Sequence, residues 1–183
     1  MMRKLSTFLL SALVVTALSS CKQQKTEEKP AETKAARTAI AQMNPTEGNE
    51  AHGTVTFTEV ENGIQVKAHL EGVPEGDHGF HIHENGDCAD NGKAAGGHWN
   101  PEGKPHGARD AAERHVGDLG NVTADANGVV DTTFVDSVIT FDGPNSIIGK
   151  GVILHEKADD LTSQPTGAAG ARIACGVIEW SKE

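Results

Sequence analysis

The chain has 183 residues, enough for one domain of ordinary size with extensions. Its 16 Lys and Arg against 26 Asp and Glu give a formal charge of −10, which argues against binding to a nucleic-acid backbone. Five Phe, two Trp and no Tyr argue against an aromatic stacking platform, whereas nine His in so short a chain indicate metal ligation.

The first residues of the chain have the pattern of an export signal. A short, positively charged segment precedes an apolar segment, residues 5–18, that is shorter than a typical membrane-spanning helix. It ends in Leu18-Ser19-Ser20-Cys21, which resembles the bacterial lipobox, where the Cys is lipidated and becomes the mature N-terminus. The alternative is an ordinary secretory signal cleaved nearby. We expect residues 1–20 to be a lipoprotein signal peptide and Cys21 the lipid anchor, and export permits disulfides.

The next segment, residues 21–50, is predicted to be a flexible tether. It is rich in Lys, Glu, Gln, Thr and Ala and has almost no large apolar residues. The predicted domain, residues 51–183, has nine Lys and Arg against 21 Asp and Glu, a charge of −12. The folded part is therefore more acidic than the whole chain.

Residues 51–183 have the pattern of a β-sheet. Alternating, β-branched segments at 53–60 and 64–70 flank Asn62-Gly63, which predicts a hairpin, and a second hairpin turns at residues 125–128. Further short strands are expected at 79–84, 121–124, 129–135, 138–141, 151–155 and 171–180, about eight in all. No window has a convincing helical period. The pattern therefore predicts an all-β sandwich or barrel.

Two long loops interrupt the strands, at residues 85–117 and 157–170. Loops of such length inside a compact domain are usually functional or disordered. The histidines gather at these loops: His81, His83, His98, His106 and His115 lie in or beside the first, with Asp118 after it, and His155 precedes the second. The two loops are therefore expected to carry the chemistry.

The spacing of these residues indicates two metal sites. Strand alternation places His81 and His83 on one face, within reach of one metal, although a single His-x-His pair is more often an ordinary surface or core feature. His106, His115 and Asp118 form a second set. Two imidazoles, a carboxylate and one further ligand suit a closed tetrahedral Zn²⁺ site, whereas an open site of nitrogen donors suits redox-active copper.

Several motifs together resemble the copper,zinc superoxide dismutase family, in its bacterial exported lipoprotein form. They are Gly79-Phe80-His81-Ile82-His83-Glu84, Gly97-His98-Trp99-Asn100-Pro101, residues 113–121, residues 155–160 and Gly170-Ala171-Arg172-Ile173-Ala174-Cys175-Gly176. The match spans about residues 53–180. The resemblance implies an eight-stranded Greek-key β-sandwich or barrel with two long functional loops. It also implies dismutation of superoxide to O₂ and hydrogen peroxide.

The resemblance also implies the cofactors and their ligands: one copper and one zinc ion per subunit. The implied copper ligands are His81, His83, His98 and His155, and the implied zinc ligands are His98, His106, His115 and Asp118. His98 would bridge the two ions, and Arg172 would attract and orient the superoxide anion. His98 and Arg172 are thus the expected catalytic residues.

Four further residues have implied supporting roles. Asp159 would accept the outer N–H groups of His81 and His106, although Asp160, or neither residue, is the alternative. His78 would hold the conformation beneath the copper site. Cys88 and Cys175 would form the intramolecular disulfide, which leaves Cys21 for the lipid.

Other features are left open by the sequence. The second loop lacks the charged run that steers superoxide in the animal enzymes, so Lys104, Lys150 and Lys157 are only candidates for that role. A homodimer is a further expectation, with Trp99 and Trp180 either at the interface or buried against the sandwich.

The expected location is the cell envelope or periplasm, with the protein attached to a membrane through Cys21. A non-catalytic copper- and zinc-binding lipoprotein of the same fold is the alternative function. His52 and His69 are expected to be solvent-facing strand residues.

Overall fold

The computed structural model describes residues 36–182, and these form eight β-strands and two short 3-10 turns. The strands are β1 (Thr38–Pro45), β2 (His52–Val60), β3 (Gly63–Glu71), β4 (Gly76–His83), β5 (Asp118–Ala124), β6 (Val130–Asp136), β7 (Gly151–His155) and β8 (Arg172–Trp180). The 3-10 turns are Lys93–Ala95 and Gly143–Asn145. The long connections are therefore 84–117 and 156–171, the first and second loops of the site described below.

All eight strands pair antiparallel in one sheet, in the order β5-β4-β7-β8-β1-β2-β3-β6. The edge strands β5 and β6 contact each other, so the sheet is a nearly closed barrel. Strand β4 pairs with β7, and β3 pairs with β6, so strands that are not consecutive in the sequence are neighbours in the sheet. This is a Greek-key arrangement. This confirms the predicted all-β class.

Two segments differ from the prediction: one predicted as tether contains a strand, and one predicted as a strand is not one. Strand β1 lies in the segment predicted as tether, where it pairs with both β2 and β8 and buries Ala39, Ala41 and Met43. The folded part therefore begins well before residue 51. Residues 138–141, predicted as a strand, contribute only one β-bridge, between Thr140 and Ser146, because this segment turns while still burying Ile139.

Other predictions lie beyond the described part of the chain. The signal peptide (residues 1–20), the lipid anchor Cys21 and the tether as far as residue 35 are outside the described residues. Within residues 36–182, no helix is long and apolar enough to cross a membrane.

The alternation of strand β4 separates the core from the site. Phe80 and Ile82 are fully buried in the main hydrophobic core. His81 and His83 point to the opposite face of the strand, since successive side chains alternate. There the two long loops cover them, and both rings are buried. The same strand thus supports the barrel with one face and the candidate site with the other.

Candidate metal centre

Strands β4 and β7 place three histidines side by side. His155 is the last residue of β7, immediately after the core residue Leu154. Because β7 pairs with β4, the ring centroid of His155 lies 5.0 Å from that of His81 and 5.6 Å from that of His83. The sheet itself therefore fixes three of the predicted copper ligands.

His98 reaches this group from the first loop. The backbone N–H of Trp99 donates to the carbonyl of Ile82 at 2.8 Å, and a β-bridge joins His83 to His98. The first loop therefore pairs with the end of β4 by backbone hydrogen bonds, as a neighbouring strand would. The ring centroid of His98 lies 4.0 Å from that of His81 and 5.0 Å from that of His83.

The rings of His81, His83, His98 and His155 each have one buried nitrogen that is available to a metal ion. Within residues 36–182, Nδ1 of His81 and Nε2 of His83, His98 and His155 are buried without a hydrogen-bond partner. The ligand atoms of these residues lie within 4.8 Å of one another. Burying an unpartnered polar atom is costly, and an ion among them would satisfy all four. Four imidazole nitrogens are a donor set that suits copper.

The opposite nitrogens of the same rings are held by the protein. His81 Nε2 donates to Asp159 Oδ2 at 2.7 Å, and His83 Nδ1 donates to the carbonyl of Gly96 at 3.0 Å. His155 Nδ1 donates to the carbonyl of Gly170 at 3.3 Å. Such outer contacts fix the tautomer and orientation of a ligating imidazole.

The second group is centred on one carboxylate oxygen. Asp118 Oδ1 lies 2.7 Å from His98 Nδ1, 3.0 Å from His106 Nδ1 and 3.2 Å from His115 Nδ1. Its other oxygen, Oδ2, accepts backbone N–H groups of His115 at 2.8 Å and Gly107 at 3.1 Å. Three nitrogens and one oxygen that converge in this way suit a tetrahedral Zn²⁺ ion. His98 belongs to both groups and presents one ring nitrogen to each.

Asp159 connects the two groups from outside. Its Oδ2 accepts from His81 Nε2 at 2.7 Å, and its Oδ1 accepts from His106 Nε2 at 2.9 Å. Asp160 instead accepts from Thr162 and Ser163 within its own turn. Of the two carboxylates, it is therefore Asp159 that contacts both His81 and His106.

Burial sets the charge states of the ligand rings. It lowers the pKa of His81 to about 4 and that of His155 to about 3, and it lowers the pKa of His83 and His115 as well. Neutral imidazole is the form that ligates metals.

The two carboxylates and His106 behave differently. Burial opposes ionisation of Asp118 and Asp159, but hydrogen bonds from His106 and its neighbours outweigh burial and lower the pKa of both carboxyl groups. Burial also lowers the pKa of His106, yet its bonds to the same two carboxylates prevail and raise that pKa to about 9. The zinc-type group, which is His98, His106, His115 and Asp118, therefore has one anionic carboxylate within it and a second, Asp159, beside it, and both favour a cation.

Comparison with known proteins identifies the family. The model for copper/zinc superoxide dismutase matches residues 51–178. The chain is 48% identical over 140 residues to the extracellular superoxide dismutase [Cu-Zn] of Drosophila melanogaster, covering 72% of this chain and 77% of that protein. It is 49% identical over 139 residues to superoxide dismutase [Cu-Zn] of Schizosaccharomyces pombe, covering 71% and 90%.

A solved structure shows the same likeness. The crystal structure of the clock protein EA4 superposes with a TM-score of 0.71 at 45% identity, over 80% of this chain and 96% of that one. The chain belongs to the copper/zinc superoxide dismutase family. Membership and the two ligand groups confirm the predicted enzyme class and its cofactors, one copper and one zinc ion per subunit.

Arg172 of this superoxide dismutase is the first residue of β8. It lies beside the copper-type group, which is His81, His83, His98 and His155. Its guanidinium donates to the carbonyls of Gly92 and, at 2.6 Å, Gly96. Burial lowers the pKa of Arg172, although an Arg side chain remains charged at any physiological pH. A half-buried, immobilised cation next to the histidines can attract and orient an anion.

The loop that holds Arg172 is anchored by a disulfide. Cys88 and Cys175 are bonded, with 5.7 Å between their Cα atoms. Cys175, Ala95 and Ile153 form a small apolar cluster against which Cys88 packs. The bond thus ties the first loop to β8, three residues from Arg172.

The buried ring of His78 contacts two backbone carbonyls. Its ring nitrogens are each 2.8 Å from a carbonyl oxygen, that of His155 for Nδ1 and that of Pro74 for Nε2. The first of these contacts joins β4 to the last residue of β7, immediately before the second loop.

Sequence reasoning missed three side chains that hold the metal loops. The buried Arg114 donates to the carbonyls of His115, Val116 and Asp118, each at 3.1 Å, and to Asp136 Oδ2 at 2.6 Å. Asn121 pairs with the backbone of Asp159, and Gln164 with the backbone of His106. Their partners are up to 58 residues away in the sequence, so no local motif predicts these contacts.

Two of the proposed steering cations are already engaged. Lys150 Nζ donates to the carbonyl of Glu84 at 2.9 Å and lies 3.6 Å from the ring centroid of Trp99. Lys104 is paired with Glu102 at 2.6 Å. Lys157 is exposed at the start of the second loop.

The remaining predicted residues lie at the surface or beside the core. His52 and His69 are half-exposed on β2 and β3, where both approach Glu71. Trp99 is partly buried against the main core, whereas Trp180 is 44% exposed.

Proposed function

We propose that this protein dismutates superoxide with copper held by His81, His83, His98 and His155 and zinc held by His98, His106, His115 and Asp118. The single observation that carries the assignment is that buried ligand atoms gather into two groups of four residues that share His98. When bound, copper supplies one-electron redox chemistry between Cu(II) and Cu(I), while zinc supplies charge without redox chemistry.

The protein's own residues supply binding, orientation and proton transfer. Arg172 draws the superoxide anion to the copper-type group and holds it there. His98 keeps Nδ1 in the zinc set, and its Nε2 holds a proton between the two half-reactions. Two superoxide ions and two protons then give one O₂ and one hydrogen peroxide. Asp159 orients His81 and His106 together, so both sets keep their geometry.

The function and the partition of ligands are tested together. His115→Ala should deplete zinc more than copper, His83→Ala the reverse, and His98→Ala both, as measured by metal analysis of protein reconstituted with both ions. Equal loss of both metals from either single-site change would contradict the partition. The alternative of a non-catalytic metal-binding protein predicts full occupancy with no dismutation.

We also propose that the protein is exported and attached to a membrane of the cell envelope by a lipid on Cys21. The lipobox-like motif Leu18-Ser19-Ser20-Cys21 supports the anchor. The Cys88–Cys175 disulfide and the extracellular Drosophila relative support export. Cys21→Ala should block processing or release the protein from the membrane fraction. A mature N-terminus that is unmodified and differs from Cys21 would exclude the anchor.

We further propose a homodimer through the surface that carries Trp180. This side chain is one of the two large apolar side chains that are exposed in the described part of the chain, and Ile40 and Val177 lie in the same groove. Trp180→Glu should convert a dimer into an active monomer in sedimentation experiments. A wild-type protein that sediments as a monomer at all concentrations would refute the proposal.

A further inference from the structure

Gln164 makes a pair of hydrogen bonds to a single residue across the two loops. Its Oε1 accepts the backbone N–H of His106 at 2.8 Å, and its Nε2 donates to the backbone carbonyl of His106 at 2.9 Å. The side-chain amide thus satisfies the same donor and acceptor that a neighbouring strand would satisfy in a sheet.

His106 lacks any regular structure to fix its backbone. Residues 103–108 belong to neither helix nor strand, and side chains hold this segment instead. Asn100 pairs with the backbone of Lys104, and Asp118 accepts the N–H of Gly107. Gln164 acts between these two supports, on the ligand residue itself.

Gln164 lies in a turn that is closed by several hydrogen bonds. Asp160 accepts the backbone N–H groups of Thr162 at 3.0 Å and Ser163 at 2.7 Å. The carbonyl of Ser163 accepts the N–H of Gly167 at 2.7 Å, which closes the turn around Gln164. Although the side chain of Gln164 is exposed, its base is therefore fixed.

We propose that Gln164 is a positioning residue for the zinc set, in that it orients the peptide of His106 and thereby aims His106 Nδ1 at the point where it meets Asp118. The inference rests on the proposed function, which makes His106 a zinc ligand. Asp159 holds the far side of the His106 ring at 2.9 Å, and Gln164 holds the backbone, so the second loop fixes this ligand at both ends. Loss of an outer contact of this kind typically weakens metal binding about 10- to 100-fold.

The test compares Gln164→Met, which has nearly the same length but neither donor nor acceptor, with Gln164→Glu, which keeps only the acceptor. Gln65→Met on β3 is the matched control. Zinc affinity of the copper-free protein is measured by competition with a chromophoric chelator. The visible spectrum of Co²⁺ in place of zinc reports the ligand geometry. We expect about 10-fold weaker zinc binding and an altered Co²⁺ spectrum for Gln164→Met, a smaller change for Gln164→Glu, and none for Gln65→Met.

The outcomes separate this inference from the function on which it rests. Unchanged zinc affinity and Co²⁺ spectrum in Gln164→Met would overturn the role of Gln164. The same holds if only the thermal midpoint of the metal-free protein falls, since that result would assign Gln164 to stability alone. If His115→Ala, made in the protein that retains Gln164, leaves zinc binding unaffected, the zinc ligands themselves are wrongly assigned. That result would contradict the proposed function, whatever the role of Gln164.

Discussion

Arg172 and His83 donate hydrogen bonds to the same acceptor, the carbonyl oxygen of Gly96, at 2.6 and 3.0 Å. Because His83 donates through Nδ1, its Nε2 is left unprotonated and faces the copper-type group. The shared oxygen therefore sets the position of the guanidinium relative to a metal ligand. A change in the first loop at Gly96 would displace both side chains together.

Arg172→Ile should reduce dismutation about ten-fold or more while both metals stay bound. A charge-assisted contact contributes roughly 1.5–3 kcal/mol, and each ten-fold in rate corresponds to about 1.4 kcal/mol. Arg172→Lys should have an intermediate rate, because the charge survives but the planar fork does not. Rates are compared at equal copper content. An unchanged rate in Arg172→Ile with full copper would remove Arg172 from the mechanism.

The salt dependence of the same variants tests local steering. The charge of −12 on residues 51–183 repels superoxide at long range, whereas Arg172 attracts it at short range. Salt screens fields beyond about 8 Å at physiological strength. If local attraction prevails, wild-type activity falls as salt rises, and Arg172→Ile responds less or in the opposite direction. Identical salt profiles would show that the guanidinium does not steer.

Cys88→Ser should lower the free energy of unfolding by roughly 4–5 kcal/mol in the chain-entropy account, because the bond closes a separation of 87 residues. Activity should fall as well, since the Gly92 and Gly96 carbonyls that hold Arg172 lie in the anchored loop. Denaturant unfolding and rate are measured beside Cys175→Ser, which should match it. Free thiols in the unreduced wild-type protein would contradict the assignment.

Gly167→Ala should disrupt the contact between Asp159 and His106. A Cβ at Gly167 would lie 1.7 Å from Asp159 Oδ1 and 2.7 Å from His106 Nε2, and the residue has φ of +67°. We expect weakened zinc binding, measured by chelator competition. Gly103→Ala is the control, since it has a similar φ of +65° but no atom within 4 Å of the added carbon. Equal zinc affinities in the two variants would show that the loop yields without cost to the site.

Arg114→Met should destabilise the protein by about 3–5 kcal/mol, because it leaves the buried Asp136 carboxylate without its charged partner. Three loop carbonyls would also lose their donor. Arg37→Met, which breaks the more exposed pair with Glu59, should cost far less. Both are measured by denaturant unfolding. A similar small loss in both variants would show that Arg114 is not held as tightly as its contacts indicate.

Most of the candidate ligands could be predicted from the sequence because they lie in short motifs. His81 and His83 are two residues apart on a strand and so share a face, His98 and His106 lie within the first loop, and His115, Asp118 and His155 lie near the borders of the two loops. The barrel was also predictable in part, since β2 and β3 bury apolar residues at alternate positions.

Two kinds of feature could not be predicted from the sequence: a strand with a weak hydrophobic pattern, and side-chain contacts between residues that are far apart in the chain. Strand β1 buries two alanines and one methionine, Ala39, Ala41 and Met43, and so small an apolar face does not stand out from a polar tether. Arg114 and Gln164 act on partners 22 and 58 residues away, which only the folded chain brings together. A lysine such as Lys150 has no sequence mark that distinguishes a free cation from one already bound to a carbonyl.

Strand β8 is the seam of the sheet. It pairs with β7 on one side and with β1 on the other, so it joins the run β5-β4-β7 to the run β1-β2-β3-β6. Since β8 lies between β7 and β1, the two runs are joined along this seam only when β8 has paired with both, and Arg172 at its first position takes its place in the same step. Oxidation of Cys175 with Cys88 then fastens the seam to the first loop. Pairing of β8 therefore completes the sheet and brings Arg172 to the anion-binding site together.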